Sequence, residues 1–527
     1  MGGALRDVAA GRPAPDWDLA TSALPEQTAG LFEGAVYENR FGTVAVRRAG
    51  EEFEITTFRS DHDYADHRRP HRIEFGTSLE LDLARRDFTM NALAWGAEAG
   101  GPVRPKAPGL IDPYDGLADI AAGTIRAVGD PRLRFEEDAL RILRAIRFAT
   151  TLGWTIEPAT LAAIRETSPL VAHLSGERIW AELTKILAAD RPSVGLRLLQ
   201  ETGALAAISE DLAAQRGIDQ RKIPGDDLWD HTLRTVDAVP EDRPVVRLAA
   251  LVHDIGKPST AADGHFIGHD SVGADLAGEL LDRLHVPVAT RNRVVHLVRQ
   301  HMFRYEPGWR DAAIRRFLAK VGPAAVEDLL ALRAADNVGS GVARDADDIA
   351  QLRARIAAEL AAGPILDRSA LAIDGADLID ELGMVPGPEV GRVLMALFDR
   401  VVENPAMNDR STLLGLAADL GPARGPAAEL AVQLYAVRAA LASDADATLG
   451  RLAAIGFRRV EPFDLVAYRD VLRDGLPRHG LSAPTAHCEI LEGDVDAAFD
   501  AAVELGIGTL IQPWVAPDRW QTEAGVR

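Results

Sequence analysis

The sequence predicts a multidomain α+β chain, with a mixed-sheet head, an all-α neck, body and tail, and a terminal α/β half-barrel fragment. Three observations predict it. Residues 36–46 and 53–58 are rich in β-branched and aromatic side chains, with Gly50 in the turn between them, which reads as paired strands. A helix-rich stretch then runs as far as residue 420. Beyond the breaker run Gly421-Pro422-Ala423-Arg424-Gly425-Pro426 the pattern changes to alternating strands and helices. At 527 residues the chain is long enough for several cores. Its domains are placed at 1–118, 119–225, 226–365, 366–424 and 427–527.

Composition, 47% hydrophobic and 26% charged, is that of an ordinary soluble globular protein. The single cysteine, Cys488, excludes a disulfide framework and fits a reducing cytoplasm. There is no signal peptide and no apolar run long enough to span a bilayer, so no membrane partner is expected. A net charge of −21 argues against a nucleic-acid partner only when averaged over the chain, because a phosphate backbone meets a local patch. Arg68, Arg69, Arg72, Arg85, Arg86, Arg132, Arg134, Arg141, Arg144 and Arg147 concentrate around the motifs below, which favours a polyanionic ligand over a merely solvated face.

Five clusters occupy the stretch from Gly2 to Phe148. Gly2-Gly3-Ala4-Leu5-Arg6-Asp7 suits a phosphate cradle, since bare backbone lets amide N–H groups approach an anion. Asp16-Trp17-Asp18 puts two carboxylates on one side of an extended strand. Glu54, in Phe53-Glu54-Ile55-Thr56-Thr57-Phe58-Arg59, is expected beside them on the same sheet, completing an oxygen cage for two Mg²⁺ ions. Such a cage suits in-line attack on a nucleoside triphosphate. Arg85-Arg86-Asp87-Phe88-Thr89-Met90-Asn91 is the fourth cluster and Glu137-Asp138-Ala139-Leu140-Arg141 the fifth. The fifth lies in a segment read as helical through Thr150, so Asp138 and Arg141 would share a helix face. An acceptor and a forked donor there can read the Watson–Crick edge of a base.

The order and spelling of these clusters resemble the bacterial tRNA nucleotidyltransferase/poly(A) polymerase family, and within it the CCA-adding enzymes with an HD domain. The likeness runs from Gly2 to about Leu420. It implies that Asp16, Asp18 and Glu54 are catalytic, with the two aspartates holding Mg²⁺. It also implies nucleotide binding by Gly2, Gly3, Arg6, Arg86, Asp87, Asn91, Asp138, Arg141, Arg144 and Arg147. Within that set Asp87 or Asn91 would meet the ribose 2′-hydroxyl, Arg86 would fork onto phosphate, and the Asp138–Arg141 pair would select CTP and ATP. The segment from Arg59 to Asp82 resembles the flexible loop kept by enzymes that add the terminal A. Leu110-Ile111-Asp112-Pro113-Tyr114-Asp115-Gly116 reads as a structural turn, and Glu177-Arg178-Ile179-Trp180-Ala181-Glu182-Leu183 as a helix bracing the nucleotide pocket. Family members carry a helix and a strand ahead of the glycine pair, so a start upstream of Met1 is expected.

From Trp229 the chain offers Asp230-His231, then His253-Asp254-Ile255-Gly256-Lys257-Pro258, His265, His269, His296, His301 and Ala335-Asp336. The spacing resembles an HD-type metal phosphohydrolase. That implies His231, His253, Asp254 and Asp336 as ligands of a divalent metal whose identity the residues leave open, with His269 and His301 as further candidates. Imidazole and carboxylate suit a transition metal as well as Mg²⁺, and such an ion can supply hydroxide to a phosphoester. The substrates implied are 2′,3′-cyclic phosphates or 2′-nucleotides at tRNA ends. Ala376 to Leu420, interrupted at Pro386-Gly387-Pro388, resembles a helical tail that grips tRNA.

In the last segment 431–435, 459–463, 480–487 and 509–513 read as strands and 447–455 as a helix. With Gln433-Leu434-Tyr435, Val460-Glu461 and His487 they resemble the start of a sugar-phosphate isomerase/epimerase barrel, halted halfway round a fold of ~250 residues. A half-barrel leaves an edge and a core open, so poor folding or self-pairing is expected, without isomerase activity. A gene-model fusion or truncated frame is the expected origin.

The expected function is a template-independent tRNA nucleotidyltransferase that adds or repairs the 3′-terminal CCA using CTP and ATP in the cytoplasm. Two alternatives stand beside it: a poly(A) polymerase, which shares every head motif, and a metal-dependent phosphohydrolase whose impaired head only binds RNA.

Overall fold

A computed structural model describes residues 1–14, 17–37, 42–48, 50–62, 72–96, 109–262, 264–341, 346–420, 430–489 and 494–514. Asp16, Arg68 and Arg69 lie outside these described residues. The chain forms two compact units, Met1–Leu371 with Phe398–Asn408, and Ala372–Leu397 with Asp409–Arg527.

The first unit opens with the helix Gly3–Ala9 and a sheet of four strands: β1 (Leu19–Thr21), β2 (Val36–Tyr37), β3 (Thr43–Arg48) and β4 (Glu51–Thr57). Their order across the sheet is β1-β4-β3-β2. β1 runs parallel to β4, while the β3–β4 and β2–β3 pairs are antiparallel, so the sheet is mixed. Val44 and Val46 alternate with less buried neighbours on β3, as a half-covered strand requires. Gly50 occupies the β3–β4 turn, where it was expected. The single strand expected over 36–46 is instead two, with 38–41 outside the described residues. β5 (Arg59–His62) and β6 (Arg72–Phe75) form an antiparallel ribbon within the segment read as a flexible loop, whose 63–71 are not described.

Two small pairings follow, β7 (Ala94–Gly96) with β8 (Gly109–Ile111), and β9 (Thr124–Ile125) with β10 (Thr155–Ile156). The rest of the unit is helical. In the helix Leu140–Leu152, Ile142, Ala145, Ile146 and Ala149 are buried, the i, i+3, i+4, i+7 stripe that turns one face to a core. That core runs from Phe88 to Ile356, so the elements carrying the fourth and fifth clusters and the histidine-bearing helices pack around one apolar cluster, to which β1–β4 contribute no described residue.

In the second unit, helices Gly375–Leu382 and Arg410–Leu420 are tied by an Arg410–Asp377 ion pair at 2.7 Å. Then come β11 (Ala431–Gln433), β12 (Arg459–Glu461), β13 (Thr485–His487) and β14 (Thr509–Ile511). β11 pairs parallel with β12 and β13 with β14, and a parallel bridge from Phe463 to His487 joins the two halves. Alternation of strand and helix is therefore present, with shorter strands than expected. The strand read as 431–435 gives way after Gln433 to a 3-10 turn, and the one read as 480–487 begins only at Thr485. Helices Arg438–Ser443, Leu465–Arg478 and Val495–Glu504 had no clear signal in the sequence. Against the expectation of an open core, Leu434, Leu449, Val460, Leu472, Ala486 and Ala501 are fully buried, because helices cover the apolar side of the short sheet. Among the described residues no helix is long and apolar enough to cross a membrane.

Candidate active sites

The head site starts from strand register. Leu19 lies abreast of Ile55 in the parallel β1–β4 pair, so one step back Asp18 stands level with Glu54. Residues level with each other on neighbouring strands point to the same face, and both carboxylates here are exposed. The Met1 ammonium donates to the Asp18 carbonyl at 2.7 Å.

Beside this pair a hydrogen-bonded chain joins four of the expected nucleotide-binding residues. Arg6 Nη1 donates to Asn91 Oδ1 at 2.9 Å, Asn91 Nδ2 to Asp87 Oδ1 at 3.0 Å, and Arg144 Nε to Asp87 Oδ2 at 2.8 Å. Arg6, Arg144 and Arg147 also stack on Phe148, their guanidinium carbons 5.0, 5.4 and 3.8 Å from its ring centre. Arg147 is held in addition by the buried Glu182 at 2.5 Å. Arg86 donates to the Asn91 carbonyl at 3.3 Å and leaves a buried Nε without a hydrogen-bond acceptor.

The Gly2 reading needs correction. Its amide donates to the Leu93 carbonyl at 3.0 Å and is not open to an anion. The glycine serves a different need: φ is +66°, and a Cβ would sit 2.6 Å from Arg86 Nη1.

Burial, the largest influence on Asp87, pushes its pKa up, but the Arg144 charge, the Asn91 amide and Arg141 outweigh it and bring it down to about 2. A depressed carboxylate adds stability above its unfolded pKa and loses it as pH falls through the folded value. Asp87 should therefore contribute roughly 2 kcal/mol that fades between about pH 4 and about pH 2. Denaturant unfolding of wild type and Asp87→Asn across that window checks this, since the difference between them must shrink towards the acid end.

Asp138 and Arg141 do not share a helix face. Asp138 is extended (φ −147°, ψ 103°) in a break between the helices Pro131–Glu137 and Leu140–Leu152. Its Oδ1 accepts from the Leu140 amide at 3.1 Å, the local bond by which Asp starts a new helix instead of continuing one. Arg178 Nη2 grips both Asp138 oxygens, at 3.0 and 2.9 Å, a contact beyond the bracing role its helix is expected to play. Arg141 is anchored elsewhere, on Glu137 at 2.7 Å and on the carbonyls of Arg134 and Arg85 at 3.0 and 2.8 Å.

A second centre lies among the helices. His231 comes from the helix Leu228–Ala238, which Asp227 caps; His253 and Asp254 follow Pro244–Val252. His269 opens His269–Arg283, His301 follows Val288–Gln300, and Asp336 belongs to Pro323–Gly339. All six are buried. His231 Nε2 lies 3.3 Å from both Asp254 Oδ2 and Asp336 Oδ1, and His253 Nε2 lies 3.2 Å from Asp254 Oδ2. On the other side, His269 and His301 Nε2 stand 3.4 and 3.7 Å from Asp254 Oδ1. Two three-residue groups of metal-binding geometry thus share Asp254: His231–His253–Asp254 and Asp254–His269–His301. His296 is not among them; it bonds the Val321 carbonyl at 2.7 Å.

These residues fit a cation on chemical grounds. His253, His269 and His301 each place Nδ1 on a main-chain carbonyl, at 2.8, 2.6 and 2.6 Å. A carbonyl only accepts, so Nδ1 carries the proton and Nε2 presents a lone pair inward. The Nε2 atoms of His269 and His301 are buried without a hydrogen-bond partner. Burial pushes the Asp254 pKa up, yet the polar neighbours crowded on it, the Lys257 ammonium among them, hold it well below the carboxylate range. Lys257 Nζ, 2.6 Å from Asp254 and 2.7 Å from Gln220, belongs to the centre although sequence reasoning gave it no role. Gly339 is needed for close packing: a Cβ there would lie 2.1 Å from Thr235 Oγ1 and 3.1 Å from His231 Nδ1. Gly339→Ala is expected to cost roughly 1–3 kcal/mol and to weaken metal uptake by moving His231; a thermal melt with and without Mn²⁺ checks both.

In the second unit the marker residues also meet. Gln433 Nε2 and His487 Nδ1 are 2.9 Å apart, Thr485 donates to Glu461 at 2.6 Å, and Gln433 and His487 line a cavity of about 710 Å³.

Residues 1–126 match the Poly A polymerase head domain, 153–216 the probable RNA and SrmB-binding site of polymerase A, and 204–350 the HD domain. With a mixed-sheet head and a helical body built this way, the chain is a nucleotidyltransferase. It is 34% identical over 421 residues to the CCA-adding enzyme of Geobacillus thermodenitrificans (strain NG80-2), covering 78% of this chain and 90% of that protein. It is 33% identical over 422 residues to the CCA-adding enzyme of Lactiplantibacillus plantarum, covering 79% and 91%. A crystal structure of the Bacillus stearothermophilus CCA-adding enzyme in complex with CTP is similar at 30% identity and a TM-score of 0.55, over 80% of this chain and 92% of that one. The chain belongs to the CCA-adding enzyme family.

Proposed function

We propose that this protein adds or repairs the 3′-terminal CCA of tRNA in the cytoplasm, taking CTP and ATP as substrates. The observation that carries the reading is Asp18 level with Glu54 on the sheet, beside the linked Arg6, Asn91, Asp87 and Arg144. Carboxylate oxygens are the hard donors that Mg²⁺ takes, so Asp16, Asp18 and Glu54 fit two such ions. When bound, these neutralise triphosphate charge and lower the pKa of the attacking hydroxyl. The RNA 3′-oxygen forms a bond to the α-phosphorus as the bond from that phosphorus to the oxygen bridging to the β-phosphate breaks; the hydroxyl proton passes to solvent and pyrophosphate leaves. Arg6 and Arg86 hold the triphosphate; Asp87 and Asn91, fixed by Arg144 and Arg6, face the ribose. Asp138 and Arg141 approach the base from separate anchors, with Arg178 orienting Asp138. In this reading 1–118 is the head, 119–225 the nucleotide-selecting neck, 226–365 the HD body and 366–424 a tRNA-gripping tail, with 427–527 related to sugar-phosphate isomerase barrels.

The helical centre supports a second activity, hydrolysis of phosphoesters at tRNA ends, for which His231, His253, Asp254 and Asp336 would hold a divalent ion that supplies hydroxide, with His269 and His301 as further candidate ligands. Incorporation assays on tRNA ending before CCA test the whole reading. CTP followed by a single ATP is the expected result; long A tails mean a poly(A) polymerase, and no incorporation leaves the hydrolase alone.

A further inference from the structure

Phe148 carries no polar group, yet both ends of the chain Arg6–Asn91–Asp87–Arg144 rest on it. These residues come from three stretches far apart in sequence: the helix Gly3–Ala9, the segment that ends in the 3-10 turn Thr89–Asn91, and the helix Leu140–Leu152. Arg6 donates to Asn91, Asn91 to Asp87, and Arg144 to Asp87 from the other side. The two end guanidiniums then meet again over the Phe148 ring, at 5.0 and 5.4 Å. Phe148 lies one helical turn beyond Arg144, on the same face, and is 4% exposed.

The ring is itself fixed by two neighbours. Phe88, fully buried, crosses it at 88° with centres 5.8 Å apart, and Arg147, tied to Glu182, covers it at 3.8 Å. Such contacts set where the negative π cloud points. Arg6, Arg144 and Arg147 repel one another, and each has its own carboxylate in Asp7, Asp87 and Glu182. The π face adds an attraction common to all three that an aliphatic side chain of similar bulk does not supply.

We propose that Phe148 is a positioning residue for ribose recognition. Its ring holds Arg6 and Arg144 at the spacing that keeps Asn91 and Asp87 turned to the sugar 2′-hydroxyl. The aromatic character of the side chain, beyond its bulk, thereby sets the preference for ribonucleotides over deoxyribonucleotides. This rests on reading Asp87 and Asn91 as the residues that face the ribose.

The test uses the full-length protein with Mg²⁺ and a tRNA ending before CCA, and measures kcat and KM for CTP and dCTP. Wild type is compared with Phe148→Leu and with a protein carrying 3,4,5-trifluorophenylalanine in place of Phe148, which keeps the shape and weakens the π cloud. Phe148→Leu is expected to raise KM for CTP about tenfold, to change kcat by no more than about twofold, and to lower the CTP-over-dCTP preference about tenfold. The fluorinated protein is expected to shift the same way by about threefold with an unchanged melting temperature, and it decides the matter if Phe148→Leu folds poorly. Wild-type discrimination in the fluorinated protein overturns the inference. So does a rise in KM that is equal for CTP and dCTP, because the ring would then support triphosphate contacts alone. A wild type that incorporates both nucleotides equally overturns instead the ribose reading of Asp87 and Asn91.

Discussion

Glu54→Gln will reduce CMP and AMP incorporation by roughly a thousandfold or more, a loss of about 4 kcal/mol of transition-state stabilisation. The substitution keeps shape and removes charge. Glu54 is exposed on β4, so it supports no core and the melting temperature should barely move. What disappears is an anionic oxygen level with Asp18, and a neutral carboxamide is a poor ligand for the ions that offset triphosphate charge. Asp18→Asn is expected to have a loss of the same order, and the double variant little more than either alone, because the carboxylates act as one unit. Single-turnover incorporation on tRNA lacking CCA measures all three. Activity within tenfold of wild type for Glu54→Gln would remove it from the catalytic set.

Much of this architecture was legible because the informative signals are local. A β-branched run with Gly50 behind it reads as a hairpin, and β3 and β4 pair around that turn. The change to alternating strands and helices after residue 430 shows in the same way. What escaped depends on partners distant in sequence or on competition at one residue. Asp138 sits inside an apolar periodicity that argues for a continuous helix, yet its side chain takes the Leu140 amide and divides it. The Arg178–Asp138 pair spans 40 residues, and nothing near either motif announces the other. Gly2 looks like a phosphate-binding glycine because the pattern of bare backbone is the same whether the neighbour is an anion or, as here, the Arg86 guanidinium. The helix Leu465–Arg478 carries Pro477 in its last turn and an exposed charged face, which hide its period.

Asp254→Asn will abolish high-affinity metal uptake at the helical centre, whereas His301→Ala will remove only part of it. The reason is how the two oxygens of one carboxylate are divided. Oδ2 faces His231, His253 and Lys257 at 3.3, 3.2 and 2.6 Å, while Oδ1 faces His269 and His301 at 3.4 and 3.7 Å. Asparagine keeps one oxygen, but it turns an N–H toward one half of the centre and removes the charge from both. Since altering even the residues that support metal ligands costs about 10–100-fold in affinity, losing the shared ligand should cost at least the upper end of that range. His301→Ala leaves the His231–His253–Asp254 group intact. Mn²⁺ stoichiometry by elemental analysis after desalting separates the cases: fewer ions than wild type in His301→Ala, none retained in Asp254→Asn. Metal that binds only the folded chain also stabilises it, so the Mn²⁺-dependent rise in melting temperature should shrink in the first variant and vanish in the second. Full retention of metal by Asp254→Asn would mean that the two groups of ligands do not meet at this carboxylate.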